Sequence, residues 1–195
     1  MDALATPYKV LKRGRVKAGE TVAVFGAGGG VGIHQLMMAR WANTRVIAVD
    51  VAEEKKQACL DAGADEFINP EKVNTIEAIL DLTDGEGADV AIDYVSATAT
   101  LEAAAGALRR HGRMITLGGA GAKFQVDSME MLRKEQDLLG SRYTTRADII
   151  ATYELIAKRE VWPIVTDIRP MEEADAIHDL VEKGEVIGRA AITMN

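Results

Sequence analysis

The chain has 195 residues, 48% hydrophobic and 27% charged, with 23 basic against 30 acidic side chains and a formal charge of −7. That length buries a core for one domain plus an appendage, and the balance describes an ordinary soluble globular protein. Basic residues cluster no further than pairs such as Lys12-Arg13 and Arg109-Arg110, so the basic face that nucleic acid needs is lacking. No stretch has the length and apolarity of a membrane span, and none reads as a signal peptide. The one cysteine, Cys59, cannot close an internal disulfide and fits a reducing cytoplasm; within a helical stretch it reads as a small buried hydrophobe.

Residues 6–13 read as a short helix with Pro7 near its start, and 16–20 as the turn into a first strand, 21–25. Val22, Val24 and Phe25 form the apolar run of β-formers expected of a buried parallel strand. Glycines follow, then a helical stretch over 31–42 with Leu36, Met37, Met38 and Trp41 available to face a sheet. The spacing is Gly26-x-x-Gly29-x-x-Gly32, with Gly30 and Val31 inside it, a variant of the G-x-G-x-x-G fingerprint. A backbone that approaches a pyrophosphate has no room for a Cβ, and the first amides of the helix attract a phosphate without a lysine. The same glycines would also serve a turn that only packs helix on strand.

A second strand, 45–49, ends in Asp50, eighteen residues beyond Gly32. A carboxylate there accepts two hydrogen bonds from adenosine ribose hydroxyls and repels a 2′-phosphate. Val51, Ala52, Glu53 and Glu54 offer no arginine to rescue one, so NAD(H) is expected in preference to NADP(H). The chain continues with a helix over 53–62 closed by Gly63, a strand over 66–68 stopped by Asn69-Pro70, and a helix over 73–82. A turn over 84–87 leads to a strand over 90–95, an alanine-rich helix over 101–110 and a strand over 113–117. A sixth strand centres on Leu138-Leu139, and a helix covers 149–158. This alternation specifies an α/β fold: a doubly wound parallel six-stranded sheet of order 3-2-1-4-5-6, with its ligand crevice at the carboxyl ends of strands one and four. Beyond it lies a strand-helix-strand appendage. Residues 162–168 are extended, Met171, Ala174, Ile177, Leu180 and Val181 form a helical stripe, and 188–194 form a last strand.

Several short marks recur along the chain: Ala5-Thr6-Pro7-Tyr8 with Lys12, Gly19-Glu20-Thr21-Val22, the run from Gly26 to Gly32, and Asp50 with Lys55. Gly112-Arg113, Gly118-Gly119, Gly140-Ser141 and Gly184-Glu185 with Gly188-Arg189 follow. Together they resemble the medium-chain dehydrogenase/reductase family, specifically its zinc-type alcohol dehydrogenases, over nearly the whole chain. The resemblance implies a Rossmann NAD-binding domain over 1–160 and a tail, 161–195, that belongs in the family to the catalytic domain. It implies Lys55 at the adenosine ribose, Arg189 at the pyrophosphate, and Thr6, Val95, Ser96, Leu117, Gly118 and Gly119 along the nicotinamide half. A solvated charge is the alternative for Lys55 and Arg189, and a helix cap for Thr6. A homodimer paired through the sixth strand, around 136–142, is also implied, since an apolar sheet edge favours pairing.

The family carries a further domain ahead of this region, holding the catalytic zinc and the substrate pocket, and this sequence is expected to lack it. Asp2 stands where the family places its third zinc ligand. One carboxylate cannot hold catalytic zinc, which takes three protein ligands and an open position, so zinc is expected only where the missing domain is supplied. His34, His111 and His178 show no ligand spacing and read as structural or solvated. The expectation is an NAD(H)-binding portion of an oxidoreductase that is not catalytic on its own; the alternative is an NAD(H)-responsive binding or regulatory module with a protein partner. A short-chain dehydrogenase would need Tyr-x-x-x-Lys after strand five, and only Tyr8 to Lys12 fits, ahead of the glycine turn. A methyltransferase shares the glycine loop and the acid after strand two, but not the pattern downstream of strand four.

Overall fold

A computed structural model describes residues 2–119 and 121–194. Strands β1 (Thr21–Phe25) and β2 (Arg45–Val49) each bury all but their first residue, because helices cover both faces of the sheet they build. They pair in parallel from Thr21 opposite Arg45 to Phe25 opposite Val49. β3 (Glu66–Ile68) lies beyond β2, and β4 (Ala88–Asp93), β5 (Leu108–Thr116) and β6 (Asp137–Gly140) extend the sheet past β1. The order is β3-β2-β1-β4-β5-β6, all parallel, as the alternation of the sequence requires. Helices α1 (Asp2–Arg13), α2 (Gly32–Trp41) and α3 (Lys56–Asp61) cover one face, where Val10, Ile33, Leu36 and Cys59 meet Val22 and Ile92. α4 (Thr75–Leu82) and α5 (Thr98–Gly106) cover the other, where Ile79 and Leu101 meet Phe25, Ile47 and Met114.

Some boundaries differ from the sequence reading. α1 starts at Asp2, four residues earlier than expected. Leu108, Arg109 and Arg110, expected in the alanine-rich helix, belong to β5. The helix stops at Gly106, and Leu108 pairs with Ala88 before a register irregularity between Ala88 and Val90. His111 absorbs that irregularity at φ +60°. A further helix, α6 (Ser128–Lys134), was not expected; Asp127 caps it by accepting from the Met129 and Glu130 amides at 2.8 and 3.2 Å. It buries no residue, so it leaves no hydrophobic stripe to read.

Charged locks tie the first helix and turn to a distant helix and strand. α7 (Arg146–Ala157) opens with a capping box between Thr145 and Asp148, and the buried Asp148 also accepts from Lys12 Nζ at 2.6 Å. Arg113 on β5, 7% exposed, donates to both carboxylate oxygens of Glu20 at 3.0 and 2.8 Å and to the Gly14, Arg15 and Asp89 carbonyls. Burial pushes the Glu20 carboxyl upward, but hydrogen bonds from Arg113 and the Lys17 amide outweigh it and hold the group below its ordinary value.

The thiol of the buried Cys59 is pushed up to about 12, by burial first and the Asp50 charge second, with Lys55 opposing. A thiol this basic stays protonated at neutral pH and is a poor nucleophile.

The last segment forms its own two-stranded sheet. β7 (Val165–Pro170) and β8 (Arg189–Thr193) pair in parallel across α8 (Ala174–Glu182). Of the expected apolar stripe only Ile177 is buried; Met171 and Val181 are more than half exposed.

Candidate functional site

The turn between β1 and α2 is shaped by close approach. Gly26 sits at φ +71°, a conformation that L side chains rarely adopt, and donates to the Val49 carbonyl at 2.9 Å. A Cβ on Gly32 would overlap the Gly26 carbonyl oxygen, so the helix can rest this close to the strand only without one. No side chain caps α2. Among the described residues, the amides of Gly30, Val31 and Gly32 find no acceptor, while Gly29 turns back to the Gly26 carbonyl at 3.2 Å. An uncapped helix start with free amides is a site for an anion.

Three side chains from elsewhere converge on this turn. Asp50, at the tip of β2, accepts from the Gly28 amide at 2.8 Å and from Ala52 at 3.0 Å. Lys55, 6% exposed, lays its stem where a Gly28 Cβ would stand, with Cδ 2.6 Å from that position. Arg189 reaches over from β8, its Cδ and Nη1 each 2.9 Å from the Cβ position of Gly30. The cleft between the turn and the tail, about 430 Å³, is lined by Gly29, Gly30, Lys55, Ile177, Gly188 and Arg189. Beside Asp50 a second, apolar cleft of about 500 Å³ opens between Val51, Pro70 and Val73 on one side and Ala99, Thr100 and Ala103 on the other.

The opposite end of the crevice is built by the turn after β4. The buried Asp93 carboxylate accepts from the Val95 and Ser96 amides at 2.9 and 3.0 Å, which fixes Ser96 at φ +60°. Burial raises the Asp93 pKa, and those amide bonds oppose the rise. Ser96 Oγ lies 3.0 Å from Thr116 Oγ1, and a Cβ on Gly118 would overlap the Val95–Ser96 backbone. Thr6, Val31, Ser96, Leu117, Gly118 and Gly119 line a third cleft, of about 580 Å³, with Asp2. Val95 stands apart from them, its Cγ2 2.8 Å from the Cβ position of Gly26.

The structure therefore brings the sequence candidates into two groups joined by the glycine turn. Gly26, Gly29, Gly30, Gly32, Asp50, Lys55 and Arg189 gather at or beside the turn. Thr6, Val31, Ser96, Leu117, Gly118 and Gly119 gather at the third cleft. Asp2 is an exposed residue of α1 that accepts from Thr6 Oγ1 at 2.9 Å. Among the described residues, no three His, Cys, Asp or Glu side chains are grouped to hold a metal ion. His111 pairs with Glu135 at 3.2 Å on the surface, and His178 is exposed on α8.

Two contributors, Gly28 and Asp93, escape the sequence reading, and a third, His34, is read there as structural or solvated without its partners. Gly28 supplies the amide that Asp50 holds, yet it falls outside the three-residue glycine spacing. Asp93 reads in the sequence as part of an apolar strand, although an acid closing a buried strand, two and three residues before the amides it holds, is a readable signal. His34 is fully buried and bonded at both ring nitrogens, to the Gly30 carbonyl and the Ile164 amide, each at 2.8 Å. Nothing local in the sequence points to that second partner, 130 residues away.

This sheet order, with a glycine turn at β1 and an acid at the tip of β2, defines a Rossmann-type α/β domain. Residues 30–158 match the family model for zinc-binding dehydrogenases, and the chain belongs to that family. It is 29% identical over 188 residues to an NAD-dependent alcohol dehydrogenase of Sulfurisphaera tokodaii, covering 96% of this chain and 54% of that protein. An alcohol dehydrogenase of Geobacillus stearothermophilus is 31% identical over 189 residues, 97% of this chain and 55% of that protein. The crystal structure of the alcohol dehydrogenase from Aeropyrum pernix superimposes with a TM-score of 0.89 at 30% identity, covering 97% of this chain and 55% of that one. The chain thus spans about half the length of the curated relatives it matches. Among the described residues, no helix is long and apolar enough to cross a membrane.

Proposed function

We propose that this chain is the NAD(H)-binding portion of a zinc-type alcohol dehydrogenase-like oxidoreductase and is not catalytic on its own. The observation that carries the reading is Asp50 hydrogen-bonded to the Gly28 amide beside the three free amides of Gly30, Val31 and Gly32. One carboxylate and one uncapped helix start, side by side, suit a ribose diol and a pyrophosphate of the same nucleotide. The names of the relatives, NAD-dependent alcohol dehydrogenases among them, support the same cofactor.

The residues present fit a dinucleotide. The apolar cleft at Val51, Pro70 and Val73 accepts a flat base next to the ribose held by Asp50 and Lys55. The turn amides and the Arg189 guanidinium carry the pyrophosphate. Thr6, Ser96, Leu117, Gly118 and Gly119 line the nicotinamide half, and Val95 backs the turn between the two halves. When bound, the nicotinamide supplies hydride acceptance or donation, and this chain supplies orientation and charge complementarity. The side chains here do not fit catalytic zinc: Asp2 alone stands at the third-ligand position, where three ligands and an open site are required. Zinc belongs only to an assembly in which protein outside these residues supplies the other ligands.

In this reading residues 1–160 form the NAD-binding domain, and 161–195 pack beside whatever completes the substrate pocket. The edge strand β6, with Leu138 and Leu139 half-buried, pairs with its twin to give a homodimer; a monomer by light scattering contradicts that. A single protonated thiol suits a reducing cytoplasm. Calorimetric titration is the test. NADH binds at least about tenfold tighter than NADPH, since Asp50 loses its ribose bonds to a 2′-phosphate, a difference of at least about 1.4 kcal/mol. Equal affinity for the two, or no binding of either, contradicts the reading.

A further inference from the structure

His34 closes a ring of contacts between the glycine turn and the tail. Its Nε2 accepts from the Ile164 amide at 2.8 Å, which leaves the proton on Nδ1, and Nδ1 donates to the Gly30 carbonyl at 2.8 Å. Ile164 in turn accepts from the Arg189 amide at 3.0 Å, and the Arg189 side chain returns to lie over Gly30. Gly188, at φ +68°, allows that return: a Cβ there would stand 2.7 Å from the Ile164 carbonyl oxygen. Only the neutral ring satisfies both partners. A protonated ring is a donor at both nitrogens, and its Nε2 proton would face the Ile164 N–H.

We propose that His34 is a positioning residue that docks the tail on the glycine turn while its ring is neutral, and thereby holds Arg189 over the anion-binding amides. The proposal rests on the dinucleotide reading for its ligand, but the docking itself needs only the contacts above. Protonation undocks Ile164, frees β8 to carry Arg189 away, and weakens the pyrophosphate site.

Burial depresses the His34 pKa, the Gly30 carbonyl opposes that, and the positive charge of Arg189 depresses it further. The next residue, Gln35, accepts from Tyr94, whose phenol burial keeps neutral. A histidine with a lowered folded-state pKa contributes stability above its unfolded value of about 6.5 and loses it as pH falls through the folded value. Docking is therefore present at neutral pH and lost on acidification.

The test follows the Ile164 amide by hydrogen exchange, as a protection factor, and NADH affinity by calorimetry, both from pH 8 to pH 5. The wild-type chain protects Ile164 at the upper end and loses that protection as pH falls through the folded-state pKa of His34, which lies below its ordinary value. NADH affinity falls with it, approaching about tenfold per pH unit below the titration, the slope of one linked proton. His34→Leu removes the acceptor, exposes Ile164 at every pH and leaves NADH affinity at the weak acid value. His34→Gln offers an uncharged oxygen to the Ile164 amide, restoring protection and flattening the pH profile. Protection of Ile164 in His34→Leu equal to wild type, or a wild-type profile that His34→Gln reproduces unchanged, overturns the proposal. Ile164 protection that follows pH while NADH binds no variant discards the dinucleotide reading and leaves the docking role standing.

Discussion

Asp50→Ala weakens NADH binding by about 100-fold or more, because two charge-assisted ribose hydrogen bonds at about 1.5–3 kcal/mol each are lost together. The effect on folding is smaller. In the free chain the same carboxylate holds the half-buried Ala52 amide and the buried Gly28 amide, and the Gly28 amide loses its acceptor in the variant at a cost of about 1–3 kcal/mol. Asp50→Asn separates the two roles, since its amide oxygen still accepts from Gly28 while the charge is gone. This variant folds as wild type, binds NADH more weakly, and loses most of its discrimination against NADPH. Calorimetry on the three proteins with both dinucleotides reads the difference. Undiminished NADH affinity in Asp50→Ala would remove Asp50 from the site.

Arg113→Met lowers unfolding free energy by about 3–5 kcal/mol, the cost of stripping one partner from a buried ion pair. Both oxygens of Glu20 and three backbone carbonyls lose their donor at once. These contacts fasten the turn after α1 and the entry of β1 to β5, so the loss reaches the scaffold of the glycine turn as well as its edge. The double variant Glu20→Leu with Arg113→Met recovers part of the stability, because the orphaned charge goes too while the Gly14, Arg15 and Asp89 carbonyls stay without that donor. Acid has the same target. The folded-state pKa of Glu20 lies below its ordinary value, so the pair stabilises the fold above the usual glutamate pKa of about 4.3 and the gain is lost as pH falls through the lower folded value. Urea midpoints across pH 3 to 7 check both points: the wild type loses more on acidification than the double variant.

The sheet was legible because its strands are short, apolar and separated by glycine or helix at regular pitch, and the length and flanks of Val22 to Phe25 and Val46 to Val49 favour strand over helix. Asp50 and the turn were legible for a chemical reason: a bare backbone and a carboxylate each leave a mark in the sequence. What failed did so where neighbours in space outvote neighbours in sequence. Leu108 to Arg110 follow an alanine run that favours helix, but Ala88 and the sheet draw them into β5. α6 buries nothing, so periodicity was silent, although Asp127 followed three residues later by Glu130 was a helix-start signal. Gly28 was hidden by an expected spacing, and His34 by a partner in the tail. Lys55 and Arg189 came from the family resemblance alone; their stems fold onto Gly28 and Gly30, contacts that the sequence does not announce.

The central claim is that a single nucleotide spans the tip of β2 and the start of α2. A structure with bound NADH tests it most directly. The account predicts the ribose hydroxyls on the Asp50 carboxylate, in place of the Gly28 amide, and the pyrophosphate on the amides of Gly30 to Gly32 beneath Arg189. A dinucleotide seated elsewhere, with Asp50 still bonded to Gly28, contradicts it.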